Sequence, residues 1–174
     1  MKYLLIGLLS LFMFSCSHNI PIANLEFVKI EKNNKYKNSF FLYFSSDIEL
    51  IGNLEKNHDA QYLECFFKKM DINMNNFFDY KGYSLNSVMG LILISKTSNK
   101  YTYKIKTSFE DKNSNLGGIE ESERVMKGVT KFMTKDNINC LSCIFTASAF
   151  MNTTSRYISN TMCLPKEEIK KVMK

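Results

Sequence analysis

The sequence predicts a small, mainly β domain, either an antiparallel, sandwich-like fold or an α+β sheet, with about seven strands. Three observations support this fold class. Polar and apolar residues alternate over residues 101–109, which is typical of a strand with one buried face. Over residues 119–134 the apolar period changes to that of a helix, with Glu120 in the favourable first turn. Pro165 can begin a short C-terminal helix.

The first half of the chain contains three predicted strands. Residues 24–32 alternate except at Val28, which is out of phase and indicates a bulge. After a turn at two asparagines, residues 39–46 form a second, more apolar strand. Residues 47–57 fit a short helix or a loop. Residues 61–70 fit a strand or a helix, and we favour the strand because aromatic residues are frequent and no helix cap follows.

The second half contains two predicted hairpins. Residues 71–87 are rich in asparagine and aromatic residues, which indicates a long loop. Residues 88–97 and 100–110 form the first hairpin, with a Ser-Asn turn between them. Residues 138–151 and 155–164 form the second, which closes the domain.

Four cysteines in the domain predict two disulfides, since an even number is typical of an exported domain: Cys65, Cys140, Cys143 and Cys163. Cys140 and Cys143 form a C-x-x-C motif within a β-rich run. On a strand, residues i and i+3 point to opposite faces and lie about 10 Å apart, so these two should have different partners. A hairpin centred on Thr153 would bring Cys143 opposite Cys163 and leave Cys65 to pair with Cys140. A redox centre or a zinc site made of these thiols is the weaker alternative.

The N-terminus carries an export signal. Lys2 precedes a run of 12 mostly apolar residues at positions 3–14, whereas a helix that spans a bilayer needs about 20. The run has the length of a signal-peptide core. It ends at Phe14-Ser15-Cys16-Ser17, with a small residue directly before a cysteine.

This ending resembles the lipobox of bacterial lipoprotein precursors. The resemblance covers only the first tenth of the chain and says nothing about the fold of the rest. It implies cleavage before Cys16, a diacylglycerol on the Cys16 thiol and an acyl chain such as palmitate on its amine. The chain then consists of a signal peptide (1–15), a lipidated tether (16–23) and a single β-rich domain (24–174). Ser17 in place of aspartate resembles the signal for the outer membrane, facing the periplasm. The alternative is ordinary secretion with cleavage after Ser17.

Composition narrows the classes of function. The chain has 23 Lys and Arg against 17 Asp and Glu. The positive charges are dispersed along the sequence, apart from a mild cluster at Lys29, Lys32, Lys35 and Lys37. We expect no nucleic-acid partner for an exported protein, and the expected partners are the membrane, through the lipid, and a protein of the envelope. We predict no cofactor, no metal and no catalytic residues. The two histidines, His18 and His58, lie in polar stretches without a G-x-S-x-G or H-E-x-x-H motif.

The candidate binding residues lie in the asparagine-rich aromatic loop: Asn76, Phe77, Phe78, Tyr80 and Tyr83. The alternative is that these aromatic side chains belong to the core. Together, the observations favour a non-enzymatic, membrane-tethered binding module, for example an immunity-type lipoprotein that neutralises a toxin. Two alternatives stay open: an accessory protein of envelope assembly, and a thiol-disulfide oxidoreductase that uses Cys140 and Cys143.

Overall fold

The computed structural model describes residues 20–36, 38–54, 60–67, 81–87, 90–113, 119–134, 138–149 and 152–174. These residues form a curled, antiparallel sheet of nine strands with three helices, so the mainly β prediction is confirmed. The helix predicted near residues 119–134 and the short C-terminal helix are both present.

The strands are β1 (Leu25–Lys32), β2 (Ser39–Ser46), β3 (Ala60–Phe66), β4 (Tyr83–Ser87), β5 (Ile92–Thr97), β6 (Lys100–Asp111), β7 (Cys140–Ala149), β8 (Asn152–Ile158) and β9 (Met162–Pro165). The helices are α1 (Leu50–Leu54), α2 (Ile119–Met133) and α3 (Lys166–Met173).

Strand β6 is the centre of the sheet. The strand order is β1-β2-β6-β4-β3-β7-β8, with β5 also paired to β6 and β9 also paired to β7. β6 is 12 residues long, so one edge pairs with β2 and the other pairs with β5 and then β4. The sheet curls until its ends meet, because the Asn160 backbone N–H, which follows β8, donates to the Ala23 carbonyl before β1 at 2.9 Å.

One face of the sheet, called the inner face here, carries the core. The register places buried side chains directly opposite each other, as for Phe44 with Tyr103 and Leu63 with Phe145. The helices add buried side chains to the same cluster: Leu50, Leu54, Val125, Val129, Met133 and Ile169. Because side chains alternate along a strand, the neighbours of these core residues point to the opposite, outer face.

Local patterns correctly predicted most of the elements. The register of β1 shifts between Phe27 and Lys29, so Val28 is the bulged residue and is 48% exposed. The two open alternatives are also decided, since α1 forms a short helix and residues 60–66 form a strand.

Two element predictions were wrong. The predicted loop over residues 71–87 ends in a strand, β4, whose Leu85 is fully buried between β3 and β6. The predicted turn at residues 152–154 lies inside β8, and the predicted strand over residues 155–164 is divided into β8 and β9. The sheet therefore has nine strands, whereas the sequence predicted about seven.

All four cysteines of the domain form disulfides, but the predicted pairing was wrong. The bonds are Cys65–Cys143 and Cys140–Cys163. The register of β7 and β9 differs by one residue from the predicted one, so Cys163 lies opposite Ser142 and Cys143 lies opposite Met162. Cys163 therefore shares a face with Cys140, and Cys143 points the other way, to Cys65 directly opposite on β3. The inference that Cys140 and Cys143 have different partners is confirmed.

The two disulfides differ in exposure. Cys65 and Cys143 are fully buried in the core, whereas Cys163 is exposed and Cys140 is half-buried. We expect a mild thiol reductant, followed by alkylation, to label Cys140 and Cys163 first, because exchange requires access to a sulfur atom. Peptide mass mapping at successive times checks the order, and in denaturant all four should be labelled together. Labelling of Cys65 and Cys143 first would contradict the structure.

A close approach at Gly128 joins α2 to the sheet. A Cβ atom at Gly128 would lie 2.0 Å from the Tyr83 hydroxyl oxygen. A helical Gly→Ala change usually stabilises by about 1 kcal/mol. We expect Gly128→Ala instead to lower the free energy of unfolding by about 1–3 kcal/mol, because the Tyr83 ring must move. Chemical denaturation measures this free energy of unfolding for the wild type and the variant. Gly52→Ala is the control, since its Cβ would meet only the Glu49 side chain, at 3.0 Å, and a similar loss in both variants would refute the explanation.

Candidate functional site

A band of lysines and aromatic rings crosses the outer face of β1, β2 and β6 and continues into the turn between β1 and β2. We call it the lysine–aromatic face, and it consists of Lys29, Glu31, Lys35, Tyr36, Phe41, Tyr43, Lys104 and Lys106. The strand residues of this band point outward because side chains alternate along a strand and their neighbours, such as Leu42 and Ile105, are buried in the core on the inner face.

The lysines and rings alternate in space. The Lys104 Nζ atom lies 4.0 Å from the ring centroid of Phe41 and 5.4 Å from that of Tyr43. The Tyr43 ring also contacts Lys29, whose Nζ atom lies 4.4 Å from the Tyr43 ring centroid. Lys106 lies 4.3 Å from the ring centroid of Tyr36. These distances are within the range of cation–π contacts, which hold each ammonium group near the surface of the sheet.

A single carboxylate fixes one edge of this face. Glu31 accepts hydrogen bonds from Lys29 at 2.6 Å and from the Tyr43 hydroxyl at 2.8 Å. These two bonds, that from Lys29 foremost, lower the pKa of Glu31, so it stays ionised. Within the described part of the chain, no carboxylate forms an ion pair with Lys104 or Lys106. The face therefore retains positive charge that a partner could neutralise.

A cavity of about 310 Å³ opens beside β3, β4 and β6. Its lining residues, which we call the Glu64 pocket, are Tyr62, Leu63, Glu64, Asn86, Ser87, Glu110 and Lys112. Strand pairing brings these residues together, because Glu64 on β3 lies opposite Asn86 on β4, and β4 pairs in turn with β6.

Hydrogen bonds hold two walls of the Glu64 pocket. The Asn86 Nδ2 group donates to Glu110 Oε2 at 2.6 Å, and the Leu63 backbone N–H donates to Ser87 Oγ at 3.0 Å. The Asn86 Oδ1 atom is buried, and none of the described residues donates a hydrogen bond to it. A buried acceptor without a partner is costly, so Asn86 contributes an unsatisfied polar atom to the lining of the pocket.

Glu64 carries a buried carboxyl group. It is only 5% exposed and forms an ion pair with Lys112. Burial raises the pKa of Glu64, while the hydrogen bond and charge of Lys112 oppose this rise. Ion pairing therefore only partly offsets the desolvation of this carboxylate.

Five of the residues predicted as functional lie outside the described residues: Cys16, Asn76, Phe77, Phe78 and Tyr80. Both histidines, for which no function was predicted, lie outside them as well. Tyr83, the last residue of the predicted binding loop, instead begins β4, where its half-buried ring lies against Gly128 of α2.

Neither the lysine–aromatic face nor the Glu64 pocket was predicted from the sequence. The alternation of Lys104 and Lys106 with core residues in β6 is the one local signal that could have indicated the face. The Glu64 pocket has no such signal, because its residues come from three strands that are distant in sequence.

Two further features of the described residues bear on the site. No three histidine, cysteine, aspartate or glutamate side chains among them lie close enough together to hold a metal ion. No helix in the same ranges is long and apolar enough to cross a membrane.

The chain matches no protein-family model, no curated protein and no solved structure.

The buried Glu64 carboxyl predicts a specific pH dependence of stability. Because burial raises its pKa in the folded state above the ordinary value of 4.5, its contribution is full below that value and is lost as pH rises through the folded-state pKa. We expect the free energy of unfolding of the wild type, relative to that of Glu64→Gln, to fall as pH rises above about 4.5. Urea denaturation of both proteins between pH 4 and pH 8 measures this difference. A difference that stays constant or grows with pH would contradict the assignment.

Proposed function

We propose that this chain is a membrane-tethered protein of the bacterial cell envelope that acts by binding an acidic protein partner through the lysine–aromatic face. An immunity-type role, in which the partner is a toxin that reaches the periplasm, is the most specific form of this proposal. The lysine–aromatic face is the observation that carries it.

The cysteines support an oxidising compartment. Cys65 and Cys143 bond across two neighbouring strands, and Cys140 and Cys163 bond at the end of the same sheet. Such disulfides form and persist in exported proteins and are rare in the cytosol. They agree with the signal sequence that ends at Cys16.

The start of the domain supports a position close to the membrane. The Tyr157 hydroxyl accepts a hydrogen bond from the Ala23 backbone N–H at 2.7 Å and donates one to the Pro21 carbonyl at 3.1 Å. Ala23 is fully buried, so the chain is fixed to the domain from Pro21 onwards. The five residues from Cys16 to this point span at most about 17 Å, which would keep a lipid-anchored domain near the bilayer surface.

The lysine–aromatic face has the properties of a binding surface. Cation–π contacts hold its ammonium groups in place, so less side-chain entropy is lost on binding than for free lysines. Tyr36 is 50% exposed and offers aromatic area of the kind that dominates binding energy in protein interfaces. Lys104 and Lys106, which form no ion pair with any described carboxylate, favour an acidic partner and accelerate its encounter.

Reversing the charge of Lys104 and Lys106 tests the proposal. The native protein, extracted from membranes, serves as bait for proteins of the periplasm and the culture medium. We expect the double variant Lys104→Glu, Lys106→Glu to lose at least about tenfold in affinity for the captured acidic protein, because attraction becomes repulsion. The intact mass of the bait tests the anchor, with residues 16–174 plus acyl chains expected.

The matched control is Lys127→Glu, Lys131→Glu on α2, which makes the same change of net charge at two exposed positions. It should keep its partner. Equal loss in both double variants would mean that only net charge matters, and capture of nothing but abundant envelope components would contradict an immunity-type role. An intact mass without acyl chains would refute the tether but not the binding surface.

A further inference from the structure

We propose that the Glu64 pocket binds a guanidinium group, carried either by a small molecule or by an arginine side chain of a protein partner. The site lies at the other end of β6 from the lysine–aromatic face and does not depend on the function proposed above. Its cavity of about 310 Å³ is at the lower end of the usual range for ligand sites, which suits a small polar group.

The charge of the Glu64 pocket favours a cation. Two carboxylates, Glu64 and Glu110, line it together with one ammonium group, that of Lys112. Lys112 is already engaged by Glu64 in an ion pair and lies 5.9 Å from the Phe66 ring centroid. One negative charge is therefore left without a cation, and an anionic ligand would be repelled.

The hydrogen-bonding groups of the pocket favour a ligand with several donors. The Glu110 side chain is exposed at the pocket, so its carboxylate can accept hydrogen bonds from a ligand. Glu110 uses its Oε2 atom to hold Asn86, which leaves its Oε1 atom for a ligand. A planar guanidinium group presents five N–H donors and can bond to a carboxylate with two of them at once.

Tyr62 completes the site. It lines the cavity and its side chain is 52% exposed, so its ring is accessible from solvent at the pocket. A guanidinium plane stacks favourably on an aromatic ring, because cation–π attraction adds to the contact area. A primary ammonium group would satisfy the same charge but lacks this planar stacking and has fewer donors. The combination of an exposed carboxylate with an exposed ring therefore selects guanidinium over ammonium.

Isothermal titration calorimetry on the native protein, with both disulfides intact, tests the proposal with four probes. Agmatine represents a small guanidinium ligand, and the capped tripeptide Gly-Arg-Gly represents an arginine side chain. Putrescine and glucose are the ammonium and polyol controls. We expect a guanidinium probe to bind most tightly. A tripeptide that binds better than agmatine would assign the site to a protein partner, and the reverse order would assign it to a small molecule.

The variant Glu110→Gln removes the charge but keeps the shape of the side chain at an exposed position, so the fold should be retained. We expect it to weaken guanidinium binding at least about tenfold, because a charge-assisted hydrogen bond is lost. Glu123→Gln, an exposed position on α2, is the matched control and should bind as the wild type does. Absence of binding by the wild type, unchanged binding by Glu110→Gln, or tighter binding of putrescine or glucose would each overturn the proposal.

Discussion

One-sided burial of β6 is the constraint on which the rest of the structure depends. On its inner face, Tyr103, Ile105 and Phe109 are buried, and the Tyr103 hydroxyl accepts a hydrogen bond from the Leu50 backbone N–H at the start of α1 at 2.7 Å. That burial raises the pKa of Tyr103 to about 12, so the hydroxyl stays neutral. Because β6 pairs with β2 and β4, its alternation also determines which face each of these strands turns outward. The positions of the lysine–aromatic face and of the Glu64 pocket follow from this single assignment.

Local patterns were enough to predict elements whose signal lies within their own residues. β2 and α2 were placed almost to the residue, because a continuous apolar run marks β2 and an apolar period of 3.6 extends over the whole of α2. β4 was missed because it has five residues, and only Leu85 among them is a clear core residue. Its strand conformation is imposed by its neighbours β3 and β6, which supply both sides of its hydrogen bonding. Tertiary context of this kind cannot be read from a window of the sequence.

Features that depend on the register between distant strands could not be predicted from local sequence patterns. The disulfide pairing failed on a shift of one residue, which moves Cys163 from the face of Cys143 to the face of Cys140. Alternation itself was reliable, and it correctly separated the two cysteines of the C-x-x-C motif. The Glu64 pocket is a stronger case, because Glu64, Asn86 and Glu110 are brought together only by the order of three strands. Nothing local marks these residues as neighbours.

The outer face of β6 carries charges of opposite sign without cancelling them. Lys106 and Glu110 are four residues apart, which corresponds to about 13 Å along a strand. This exceeds the Debye length of about 8 Å at physiological ionic strength, so each site is largely screened from the other. Glu64 is also paired locally with Lys112, which confines its field further. The lysine–aromatic face and the Glu64 pocket can therefore attract an acidic surface and a cationic group independently. One partner that presents both would be held in a single orientation along β6.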